Sequence, residues 1–296
     1  MNQDIGISKI LVPVEFSERS RGAARYAEAV AGRFQAELVL LHVVPPPYTM
    51  YGVAGEVTAY SSLPELEAER MTAGRARLRD FAAEMPRNFP VRCEVLEGDP
   101  ARVIVDFAHT EHVDLIVMPT HGYGPFRRFL LGSVTAKVLH DANCPVWTGP
   151  HLENAPDWQA VRCQRIACAI DLGPRSTPVL AWAAVVARHC NAELVAVHAV
   201  PSSTGALGGI TFDPDWGAAV ARDARERIGK LQGELGVAGA VHVEMGDVPV
   251  AVSQAARQLD ADLLVIGRSV HSGVMGRLRA NAYAIIRESP CPVVSI

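Results

Sequence analysis

The sequence predicts an α/β protein built as two tandem domains, each a largely parallel sheet covered by helices on both faces. Three observations lead there. Ile10–Val44 lies over Ile166–Val200 without a gap at an offset of 156, and twelve of those 35 columns are identical, so the chain repeats itself. Further on, Gly98-Asp99 matches Gly246-Asp247, and Val113–Met118 matches Ala261–Ile266 at an offset of 148, which places the length differences in the middle of each unit. Within a unit, short β-branched runs alternate with longer amphipathic stretches, the pattern of βαβ crossovers around a sheet buried on both sides. Finally, 296 residues suffice for two cores at roughly 100–200 residues per domain.

Taken in order, Ile10-Leu11-Val12-Pro13-Val14 reads as a buried strand. Ser17 or Ser20 can cap the following helix, whose apolar side includes Ala23, Ala24, Ala27, Val30 and Phe34. Leu38–Val44 is the next strand, followed by a loop rich in Pro, Gly, Tyr and Ser over Pro45–Leu63. A charged helix is expected from about Pro64 to Met85, then a strand over Val91–Glu97. Gly98-Asp99-Pro100 starts a helix, with Asp99 as N-cap and Pro100 in the first turn, where its missing N–H costs nothing. Asp114–Met118 is the fourth strand, Ser133 begins a helix, and Val146–Thr148 is a short fifth strand. Residues 149–162 form a linker, so the domains are expected at 1–148 and 163–296. Pro45–Leu63 and Pro201–Trp216 are expected to be flaps beside the sites or contact surfaces.

Composition excludes several classes of function. Hydrophobic residues make up 49% and charged residues 20%, and the formal net charge is -4, so the chain should fold and lacks the basic excess of a general nucleic-acid binder. No apolar run reaches the ~18–20 residues of a membrane span. The N-terminus lacks a basic segment followed by an apolar region, which places the protein in the cytoplasm. Six scattered cysteines without a CxxC pair read as small buried hydrophobes rather than metal ligands.

The segment that carries chemistry is Met118-Pro119-Thr120-His121-Gly122, nine residues, then Gly132-Ser133-Val134-Thr135. It runs from a buried strand to a helix, where open α/β sheets bind ligands. Glycines allow close approach of backbone N–H groups to a phosphate, and a helix N-terminus suits an anion. Ser133 and Thr135 add hydroxyls, and Arg127 and Arg128 could clamp a polyphosphate. Neither GxxxxGK[ST] nor GxGxxG occurs, so the two commonest nucleotide loops are absent.

With these residues in view, the chain resembles the universal stress protein family (UspA-like) in its tandem two-domain form. The residues that carry the resemblance are Ile10-Leu11-Val12-Pro13-Val14-Glu15-Phe16-Ser17, Leu41-His42-Val43-Val44, the Thr120-His121-Gly122…Gly132-Ser133 loop, and the closing Cys144-Pro145-Val146 and Cys291-Pro292-Val293. The resemblance implies Rossmann-like (adenine nucleotide alpha hydrolase-like) domains, each with five mainly parallel strands. ATP, with or without Mg²⁺, would lie between the ends of the first two strands and the loop. Family members that bind ATP carry Gly-x2-Gly-x9-Gly-(Ser/Thr); here the spacing holds and Pro119 stands at the first glycine. By the same resemblance Glu15 takes the place of the family's usual Asp. Pro13, Val14 and Val43 would line the adenine, with backbone groups reading its edge. Met118, Pro119, His121 and Gly122 would follow the ribose and phosphates, and Gly132, Ser133, Val134 and Thr135 would hold the phosphates. The two halves would pair through their last strands, Val146-Trp147 facing Val293-Val294, and whole chains would form homodimers.

In the second half Gly267 keeps the first glycine, but Val270 replaces the second, and Ala280-Asn281, or Arg279-Ala280 in a shifted alignment, replace Gly-Ser. A β-branched residue resists φ > 0 and an added Cβ stands where phosphate would sit, so this half is expected to be a degenerate, mainly structural repeat. His42 and His198 read as satisfied core histidines, Glu15 as a hydrogen-bond acceptor toward adenosine or the loop, and Ser133 as an N-cap that touches phosphate. No catalytic constellation and no metal site stand out. The expected function is ATP binding by a regulator or sensor in stress adaptation. Its rivals are a slow ATPase, with Glu15 or His121 orienting water, and a nucleotide-free interaction module.

Overall fold

A computed structural model describes residues 6–46, 63–85, 90–121, 131–149, 152, 161, 163–200, 214–268 and 277–296. The first half runs β1 (Lys9–Pro13), α1 (Glu18–Phe34), β2 (Glu37–Val44), α2 (Leu63–Ala83), β3 (Val91–Glu97), α3 (Pro100–Thr110), β4 (Leu115–Val117), α4 (Ser133–Asp141) and β5 (Val146–Thr148). The second half repeats it as β6 (Arg165–Ala169), α5 (Ser176–Cys190), β7 (Glu193–Val200), α6 (Pro214–Leu235), β8 (Ala240–Met245), α7 (Val248–Gln258), β9 (Leu263–Ile266), α8 (Arg277–Glu288) and β10 (Val293–Ser295).

All ten strands form one sheet in the order β3-β2-β1-β4-β5-β10-β9-β6-β7-β8. Every pairing is parallel except that of β5 with β10, where Val294 faces Trp147 and Ser295 faces Val146. The halves therefore join through their last strands, as the family resemblance implied. This seam turns what would be two open edges into the centre of a sheet.

Side-chain alternation along the strands divides the core in two. Ile10, Val12, Leu38, Leu40, Leu115 and Val117 pack with Ala23, Ala24, Ala27 and Val30 of α1 and Leu78 and Phe81 of α2. On the other face Leu11, Val39, Leu41 and Ile116 pack with Ala101, Ile104 and Ala108 of α3 and Val138 and Leu139 of α4. The second half places α5 and α6 on the first face and α7 and α8 on the second. Leu152 and Val161, from the stretch expected as a linker, are themselves buried.

Local chemistry sets the element ends. Ser17 caps α1 by accepting from the Ser20 N–H at 3.2 Å, and Asp99 caps α3 by accepting from the Arg102 N–H at 2.9 Å, with Pro100 in the first turn. Asp114 lies just outside β4. Its Oδ2 accepts from the Ser8 and Lys9 N–H groups at 2.8 and 2.9 Å, and Asp262 does the same for Gln164 and Arg165. Left-handed backbone recurs at matching places, Phe16 with Leu172 (φ 66 and 60) and Gln35 with Asn191 (φ 54 and 52), so the duplication extends to the turns. Among the described residues, no helix is long and apolar enough to cross a membrane.

Candidate functional site

The first half's site lies at the C-terminal ends of β1, β2 and β4. From β1 the chain turns one way to β2 and the other way to β4, so a crevice opens at this reversal of strand order. Pro13 ends β1 and Val14 follows it; Val43 belongs to β2; Met118 and Pro119 leave β4. Val14, Val43 and Met118 are buried at the ends of these strands.

The two ends of the loop meet. The Gly132 N–H donates to the Thr120 carbonyl at 2.8 Å, and the Thr135 hydroxyl donates to the Pro119 carbonyl at 3.0 Å. A Cβ on Gly132 would lie 3.1 Å from His121 Cα and 3.3 Å from the Thr120 oxygen. Glycine is needed here because two backbone segments touch. Thr120 Oγ1 and His121 Nδ1 share a hydrogen bond at 2.7 Å, and both residues are buried. The structure thus brings Pro119, Thr120, His121, Gly132 and Thr135 together; Gly122, Arg127 and Arg128 lie outside the described residues.

Gly132, not Ser133, is the N-cap of α4, and no side chain caps this helix. Ser133 is the first helical residue and is exposed. The Ala136 N–H closes the first turn onto the Gly132 carbonyl at 2.8 Å, and the N–H groups of Ser133, Val134 and Thr135 have no hydrogen-bond partner among the described residues, as befits the first donors of a helix. Thr135 presents that N–H alone, since its hydroxyl is engaged with Pro119.

Glu15 lies beside the start of α1, where its Oε1 accepts from the Ser17 hydroxyl at 2.7 Å and so steadies the N-cap; residues 122–130 of the loop lie outside the described residues. The Val14 N–H donates to the Leu41 carbonyl at 2.8 Å, so it is closed to a base edge. The Val14 carbonyl accepts from His42 Nδ1 at 2.8 Å and has a second lone pair to offer. Burial holds the His42 pKa below its ordinary value, partly offset by that hydrogen bond. His198 repeats the contact on the Ile170 carbonyl at 2.8 Å. Both histidines are satisfied structural groups.

The corresponding crevice of the second half contains a cavity of about 320 Å³ between α5 on one side and α7 and α8 on the other. Asp171, Arg175, Ser176, His198 and Asn281 give it polar groups; Ile170, Val179 and Ile266 are among its apolar walls. Asp171 Oδ1 accepts from the Gly173 N–H at 2.8 Å and the Ser176 hydroxyl at 3.1 Å. Several residues that line it, Ala169, Ala199 and Gly267 among them, are smaller than Pro13, Val43 and Pro119 at the matching places of the first half.

Comparison with known proteins gives a consistent result. The family model described as "Universal stress protein family" matches residues 6–148 and again 163–296. A universal stress protein of Methanocaldococcus jannaschii is 35% identical over 139 residues, covering 47% of this chain and 79% of that protein. One from Mycobacterium bovis is 26% identical over 293 residues, covering 96% of this chain and 95% of its own length. The crystal structure of a universal stress protein from Archaeoglobus fulgidus superposes with a TM-score of 0.65 at 24% identity, covering 98% of this chain and 96% of that one, a likeness of fold.

Proposed function

The chain belongs to the universal stress protein family, and we propose that it acts there as a cytoplasmic adenine-nucleotide-binding regulator, with ATP seated in the first half and no catalytic turnover. The observation that carries this reading is the uncapped start of α4, fastened at the switch point by the Gly132–Thr120 hydrogen bond. Three N–H donors and the positive end of the helix dipole converge on the space beyond β1 and β4, an arrangement that favours phosphate. Val14, Val43 and Met118 would take the faces of the base, and the remaining lone pair of the Val14 carbonyl would accept from its amino group. His121 would wall the ribose side. Mg²⁺ would arrive with the phosphates, because among the described residues no three His, Cys, Asp or Glu side chains group to hold a metal. Pairing of whole chains into homodimers belongs to the same reading.

The test is to denature the purified chain, identify any released nucleotide by chromatography and mass, and titrate ATP with Mg²⁺ calorimetrically into the emptied protein. About one phosphate-dependent ATP site per chain supports the reading. Absence of both nucleotide and heat would rule it out in favour of a nucleotide-free interaction module.

A further inference from the structure

We infer that Cys163 and Cys190 form a reversible oxidation site, closed to a disulfide by a hydroperoxide, beside the joint between the two halves. The inference uses no residue of the nucleotide site and stands whether or not the chain binds ATP.

The backbone brings the pair together. Cys163 lies two residues before β6, Cys190 ends α5, and the turn after α5 leads directly into β7. Asn191 makes that turn in the left-handed region (φ 52). The Glu193 N–H then donates to the Gln164 carbonyl at 2.7 Å, and Arg165 pairs with Glu193 at the start of the parallel ladder. The residues just before these two strands are thereby neighbours, and the two thiols share a hydrogen bond. Cys163 is 6% exposed and packs in the core, whereas Cys190 is half-buried at its margin. A small oxidant therefore meets Cys190 first.

The repeat shows that this place does not itself require sulfur. At the offset of 156, Cys163 and Cys190 fall on Ile7 and Phe34; Ile7 is buried, and Phe34 packs against the same core. One half fills the position with hydrocarbon, the other with two thiols in contact. The end of α1 reaches the same place: Arg33 Nη2 donates to the Val161 carbonyl at 2.6 Å, and the Phe34 ring stacks on His189 with centroids 4.5 Å apart. A disulfide here would fix the end of α5 where the first half rests on it.

The environment assigns the two roles. Hydrogen bonding from the Cys163 thiol, helped by the nearby Arg33 guanidinium, holds the Cys190 pKa below its ordinary value against the effect of burial. The other five cysteines are all shifted up, Cys144 to about 11 and Cys291 to about 12. The thiolate is the nucleophile, so peroxide selects Cys190 even over the exposed Cys93. The Cys190 sulfur attacks one oxygen of hydrogen peroxide, the O–O bond breaks, and hydroxide leaves a sulfenic acid behind. That hydroxide takes the Cys163 proton and becomes water. The Cys163 sulfur then attacks the Cys190 sulfur, the S–O bond breaks, and the departing hydroxide takes up the proton that Cys190 first released. Two thiols have lost two electrons and two protons, and one peroxide has become two waters.

The test is to treat the reduced full-length chain with a small excess of hydrogen peroxide, count its thiols after denaturation, and map crosslinks by peptide mass spectrometry without reduction. The expected result is loss of two of the six thiols, a Cys163–Cys190 crosslink, and full recovery with dithiothreitol. Cys163→Ala removes the resolving thiol and should raise dimedone labelling of Cys190 severalfold; Cys190→Ala should keep all its thiols. The inference is overturned if all six thiols survive in the unsubstituted chain, if the crosslink joins other cysteines, or if dithiothreitol fails to restore the pair. It is also overturned if natively folded Cys163→Ala gains no dimedone label. The first three outcomes are read on the unsubstituted chain and do not depend on a variant folding.

Discussion

Arg268 sets the most informative test of how the halves are joined. It follows β9 in the second half, yet its Nη1 donates to the Leu139 carbonyl at 3.1 Å and its Nη2 to the Cys144 carbonyl at 2.6 Å, both in the first half. Its own N–H donates to the Ile296 carbonyl at 2.6 Å. Burial lowers its pKa to about 10, so it stays charged at neutral pH. A hydrogen bond from a charged donor contributes about 1.5–3 kcal/mol, and two of them, less the relief of exposing the guanidinium again, leave about 2–4 kcal/mol lost in Arg268→Ala. Arg268→Lys keeps the charge and one donor direction and should lose about half as much. Urea unfolding followed by tryptophan fluorescence is the assay, since Trp147 and Trp182 are buried, one in each half. The alanine variant should lower the midpoint and separate the unfolding of the two halves. A loss below about 0.5 kcal/mol with a single unchanged transition would refute the reasoning.

Two more predictions concern single buried groups. Thr135→Val removes the hydroxyl that donates to Pro119 at 3.0 Å and should cost about 1–2 kcal/mol in thermal or chemical unfolding while changing ATP affinity less than about threefold; a stable variant with strongly weakened ATP binding would mean that the hydroxyl serves phosphate. Glu28 on α1 is buried, and desolvation raises its pKa from the ordinary 4.5 to about 7, with Arg25 opposing. The folded state therefore prefers the protonated acid: the stabilisation is complete below about pH 4.5 and is lost as pH rises through about 7. Glu28→Gln should flatten this part of the stability-versus-pH curve, by about 1–2 kcal/mol after allowance for screening, and a curve identical to the unsubstituted chain's would dismiss the assignment.

The features legible in the sequence are those set by neighbours along the chain or by periodicity. Asp99-Pro100 announced α3, Ser17 announced α1, and the β-branched runs located the inner strands to within a residue or two. The seam, where Val294 pairs with Trp147, was expected from the family resemblance and not from any local pattern. Features that depend on distant chain segments were hidden. Asp114 was read as strand because nothing local reveals that its carboxylate holds the start of β1. Gly132 took the N-cap place expected of Ser133 because its backbone is still extended there, held by the long-range hydrogen bond to the Thr120 carbonyl. The second-half cavity escaped because its lining is drawn from separate elements, with Ala169 and Ala199 on strands and Ala282 on a helix.

The central claim is that the start of α4 in the first half receives the phosphates of ATP, and Ser133→Asp tests it most directly. Ser133 is exposed, and an acidic side chain in the first turn favours the helix dipole, so the variant should fold with undiminished stability. Its carboxylate would oppose the phosphates, and like charges forced together cost several kcal/mol. Calorimetric titration of ATP with Mg²⁺ should therefore find affinity at least about 30-fold weaker than in the unsubstituted chain, equivalent to about 2 kcal/mol. Equal affinities in the two proteins, both natively folded, would contradict the claim.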